Sequence, residues 1–68
     1  MNKNEIRLIH NREMLEEARN RCALYARKLR SEKISSYERS IYSAILYNEK
    51  QEMQEIKERI AKLERIVK

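Results

Sequence analysis

Across 68 residues this chain contains no glycine and no proline. Average usage, about 7% Gly and 5% Pro, would supply several of each. Glycine gives tight turns their positive φ and proline presets φ at their corners, so the chain lacks the usual residues for joining strands. The same two residues are also the strongest helix breakers. The expected class is therefore all-α, and nearly everything should be helix.

A helical chain this short has a thin core, because a domain near this size buries only about 60% of the surface its unfolded form exposes. Small scaffolds compensate with disulfides, metals or association. A single cysteine, Cys22, excludes an intramolecular disulfide. One cysteine and one histidine, His10, do not make a four-ligand zinc site. No metal and no cofactor is expected, which leaves association as the source of added stability.

Heptad spacing defines the first helix. Leu8, Leu15, Cys22 and Leu29 recur every seven residues, with Asn11, Ala18 and Tyr25 at the intervening d positions. This is an amphipathic helix with a narrow seam, expected from about residue 4 to 30. The second seam reads Ile34, Tyr37, Ile41, Ile45, Glu49, Met53, Ile56, Ile60, Leu63 and Val67. Its consecutive four-residue steps around Glu49 resemble a stutter, and the second helix is expected over about 36–67.

The connector is "SEKIS", residues 31–35. Ser35 with Glu38 three residues later forms a capping box, which marks a new helix start. The expected fold is one unit over residues 1–68, a two-helix antiparallel hairpin that dimerises into a four-helix bundle or coiled coil. Reversal near 32–35 makes facing residue numbers add to about 67, setting Cys22 level with Ile45. Two alternatives remain open at this level, one uninterrupted helix and a parallel coiled coil through residues 50–68. The self-association residues would be Met53, Ile56, Ile60, Leu63 and Val67.

Charge is placed unevenly. The net +5 is concentrated so that residues 19–33 hold six basic side chains against one acidic. Arg12, Arg19, Arg21, Arg27, Lys28 and Arg30 give helix 1 a basic flank suited to phosphates or an acidic partner. Long basic side chains also flank apolar seams simply to cover hydrocarbon. Glu49 breaks an otherwise apolar seam and is expected to fix register by reaching Arg19 or Arg21. Cys22 reads as a small seam hydrophobe, and His10 as an incidental surface residue. No pair of groups suggests catalysis, so the chain is not expected to be an enzyme.

The best partner patch is on helix 2, where Tyr37, Ile41, Tyr42, Ile45, Leu46 and Tyr47 crowd together. Tyrosine combines apolar area with a polar tip, which suits interfaces. The function expected is a small non-enzymatic regulatory binding protein, an adaptor or inhibitor that docks on a larger protein. The alternative is a nucleic-acid-binding helical dimer that uses the basic flank. There is no secretory signal and no run long enough to span a membrane, so a cytoplasmic location and no membrane partner are expected.

Overall fold

The computed structural model describes residues 1–67, and Lys68, the last residue of the expected unit, lies outside them. Two helices, α1 (Lys3–Leu29) and α2 (Ser36–Val67), form an antiparallel hairpin measuring 48 × 15 × 13 Å. The expected all-α hairpin is present, and the single uninterrupted helix is not.

Local chemistry sets each boundary. At the start of α1 the Glu5 backbone N–H donates to Asn2 Oδ1 at 2.9 Å, and Asn2 Nδ2 donates to Glu5 Oε1 at 3.1 Å. Asn2 thus satisfies one of the free N–H groups of the first turn. The capping box opens α2 as expected. Glu38 N–H donates to Ser35 Oγ at 3.1 Å, and Ser35 N–H donates back to Glu38 Oε1 at 3.3 Å. Those bonds from Ser35 hold the Glu38 carboxyl below its ordinary pKa.

The reversal uses no left-handed residue, since among the described residues no backbone φ is positive. Instead the last turn of α1 tightens, with Arg30 N–H donating to Arg27 O and Ser31 N–H to Lys28 O, both at 3.2 Å. Arg39 then reaches back from the first turns of α2, and its Nη1 donates to Leu29 O at 3.0 Å. A cation is favourable at this end of a helix, where free carbonyls concentrate negative charge.

The seam of α1 lies where its heptads put it. Leu8, Asn11 and Ala18 are buried, and Leu15, Cys22, Tyr25 and Leu29 are half-buried. On α2 the picture needs correction. Tyr37 is 76% exposed and Ile41 38% exposed, so neither continues the seam. Half-buried Tyr42 and Leu46 take those places. The row Tyr42, Leu46, Glu49, Met53, Ile56, Ile60, Leu63, Val67 keeps an unbroken 3-4 alternation and contains no stutter. The cause is length. Because α1 stops at Leu29, the first turn of α2 has no helix opposite it.

Register is corrected as well. Tyr25 meets Tyr42, whose numbers add to 67, with ring centroids 5.7 Å apart. Cys22, however, lies against Met53 rather than Ile45, its thiol donating to the Met53 sulfur at 3.3 Å. Arg12 likewise reaches Glu64 at 3.4 Å. Cys22 and Arg12 therefore meet residues eight or nine positions further along α2 than the expected pairing sets level with them, which is more than two helical turns.

Two outcomes are expected in urea titrations followed by helical circular dichroism. Ser35→Ala should cost about 1 kcal/mol through loss of the cap. Ile56→Ala, at a site of zero exposure, should cost about 2–5 kcal/mol. The Glu38 contribution should be fully present above the ordinary carboxylate pKa and vanish as pH falls through its lowered folded value. Ser35→Ala should flatten that acid limb.

Candidate interaction surfaces

A two-helix hairpin has two open flanks beside its seam, and the cross-helix contacts identify both. Arg12 and Glu64, each at a heptad e position, meet on the first flank. On the second, residues at g positions reach across to the seam of the other helix. Arg21 meets Glu49 there, Arg59 meets Asn11, and Lys28 Nζ sits 5.2 Å from the centre of the Tyr42 ring. Cation–ring geometry of this kind is attractive.

Two polar groups interrupt the seam, and both are held by specific partners. Asn11 Nδ2 donates to Arg7 O at 2.8 Å, while its Oδ1 accepts from Arg59 Nε at 3.0 Å. Its placement at d was legible from the heptads, but Arg59 as its partner was not. Glu49 meets Arg21, one of the two cations expected for it, with Nε 3.0 Å from Oε2. That oxygen is closed to solvent and accepts no well-directed hydrogen bond, so the contact is an ion pair of imperfect alignment. The Glu49 carboxylate raises the Arg21 pKa above its ordinary value.

The six residues of the expected basic flank do not act together. Arg12 and Arg21 are spent on Glu64 and Glu49, and Lys28 on Tyr42. Arg19, Arg27 and Arg30 are exposed, and none of the three forms an ion pair among the described residues. Two lysines of α2 that spacing on α1 alone did not bring in, Lys50 and Lys57, occupy e positions on the flank of Arg12 and Arg19 and are exposed.

The expected tyrosine and isoleucine patch also divides. Tyr42 belongs to the hairpin itself, its hydroxyl donating to Glu38 Oε2 at 3.4 Å. Tyr37, Ile41 and Ile45 recur every four residues and run as a stripe from open surface into the half-buried edge of the seam. Leu46 is half-buried, whereas Tyr47 is 64% exposed on the flank of Arg12. Of the residues expected to mediate self-association, Ile56 is covered completely within one chain. Met53, Ile60, Leu63 and Val67 are half-buried along that same seam. Further apolar side chains stand exposed at Ile6, Ile9, Leu24 and Ile66.

His10 is exposed. Among the described residues no three His, Cys, Asp or Glu side chains cluster as a metal ion would require. A shallow cleft near the chain ends is lined by Leu8, Arg12, Glu64 and Val67. Among the described residues no helix is long and apolar enough to cross a membrane. Comparison with protein-family models, curated proteins and solved structures finds no match to this chain.

The two arginines on opposite flanks should respond differently to truncation. Arg21→Ala leaves a solvent-closed Glu49 oxygen without its cation and should lower the urea midpoint. Arg19→Ala should leave that midpoint unchanged or raise it slightly.

Proposed function

We propose that this protein is a small non-enzymatic binding protein of the adaptor or inhibitor type, acting in the cytoplasm on a larger protein. The observation that supports this reading is the stripe of Tyr37, Ile41 and Ile45, whose outer members are 76% and 38% exposed. An aromatic and two isoleucines at i, i+4 and i+8 form the apolar row by which a helix enters a groove. The stripe begins beyond the end of α1, where the hairpin itself has nothing to cover it.

Self-association is a second reading with its own support. The chain exposes 5458 Å², whereas a compact monomer of 8.3 kDa would expose about 4,600 Å². The surplus is close to the ~800 Å² that each partner commits to a stable interface. A four-helix bundle of two hairpins would cover it.

Ile41→Asp separates these readings, since the site is exposed and the variant should stay helical. Under the main reading, a protein held by the wild type after nuclease treatment is lost from the variant, and both sediment alike. A mass that falls from dimer to monomer in the variant, with no protein retained by either, supports self-association in its place.

A further inference from the structure

We propose that the flank carrying the Arg12–Glu64 contact is a binding face for single-stranded nucleic acid, built from Arg19, Arg30, Lys50, Lys57 and Tyr47. The face takes its geometry from that one ion pair. Arg19 follows Arg12 by one heptad and Lys57 precedes Glu64 by one heptad, so the two cations occupy the positions that Arg12 and Glu64 occupy a heptad away. Lys50 comes one heptad further toward the loop, beside Ala26. Arg30 stands one turn beyond Ala26. All four cations are exposed, and among the described residues none of them is in an ion pair. Glu16 borders the patch on the side nearer Arg12.

Like charges meeting across a helical seam oppose its closure. One heptad away the same chain places opposite charges, so the repulsion between Arg19 and Lys57 is not forced by the fold. A polyanion lying along this flank removes the repulsion and releases its own counterions. The surrounding side chains select which polyanion. Tyr47 lies one turn before Lys50 and is 64% exposed, while Gln54 lies one turn before Lys57. An open aromatic face beside cations is how single strands are held, with a base stacked on the ring. A duplex keeps its base faces covered and offers Tyr47 nothing to stack on. Helices that lie on membranes insert Trp, Phe or Leu, whereas this flank carries Ala23, Ala26, Ser43 and Ala61 around its cations. Tyr37 and Ile41 lie off this face, so it is separate from the protein-docking stripe.

The test is fluorescence anisotropy of a labelled oligothymidylate at several salt concentrations. Four neutralised phosphates predict a slope of log affinity against log salt near about −3. Arg19→Glu places a carboxylate opposite Lys57, as Glu64 lies opposite Arg12. It should therefore keep or raise the melting temperature while weakening binding at least about tenfold, with Tyr47→Ala weakening it by about tenfold. Arg27→Glu, on the back of α1, should change affinity little. The proposal is overturned by absence of binding at low salt, or by equal losses from Arg19→Glu and Arg27→Glu. Tighter binding to a matched duplex or to acidic phospholipid vesicles overturns it too. So does loss of helicity in Arg19→Glu, which would return the cation to packing.

Discussion

The hairpin depends on one close approach, that of α1 and α2 around Ala18 and Ile56, the two residues with zero exposure. Ala18 has no side chain beyond Cβ, so α2 comes near enough for Ile56 to be enclosed by only two helices. With Leu8 these complete the buried apolar core among the described residues. So little enclosed surface supplies cohesion but little selectivity, since a shift by one turn would still oppose apolar rows. Selectivity falls to the polar contacts. Asn11 accepts from Arg59 and Glu49 pairs with Arg21, and a shift of either helix by one turn would part both pairs. A buried polar residue that fixes alignment at some cost in stability is a recognised device of helical seams.

What the sequence made legible was whatever depends on neighbours within a turn or two. Lack of glycine and proline gave the class, heptads gave the seam of α1, and Ser35 with Glu38 gave the start of α2. Asn2 with Glu5 carried the same kind of signal at the other helix start, masked by the asparagine at position 4. The α2 seam was harder to read because residues 41–47 are apolar nearly all round. Two rows compete there, Tyr37–Ile41–Ile45 and Tyr42–Leu46. The choice turns on where α1 ends, which is a property of the other helix. Register was out of reach for a related reason. A pattern that repeats every turn fits equally well at several offsets, and only side-chain matches such as Cys22 against Met53 decide among them.

The basic stretch shows why spacing along one helix understates a surface. Arg12, Arg19, Arg21, Arg27, Lys28 and Arg30 look like a single set when read along α1. Folding deals them to two flanks and a back, and neutralises two of them against carboxylates of α2. In return α2 brings Lys57 opposite Arg19, with Lys50 one heptad further toward the loop. An electropositive face thus emerges from two half-patterns, neither of them unusual alone. The apolar stripe arises oppositely, from a part of α2 that outruns its neighbour.

The loop of residues 30–35 turns without any residue at positive φ, and no side chain within it refuses to be helical. Nothing in its covalent structure therefore compels reversal. If it straightens, α1 of one chain and α2 of another can make every seam contact described above, as an exchange of helices between two molecules. Closed and exchanged forms then share nearly the same contact energy, and the choice between them becomes one of proximity. A short tether presents each helix to its own partner at a local concentration of about millimolar. Below that concentration the chain closes on itself, held shut at the corner by the cap of Ser35 and by the reach of Arg39 to Leu29.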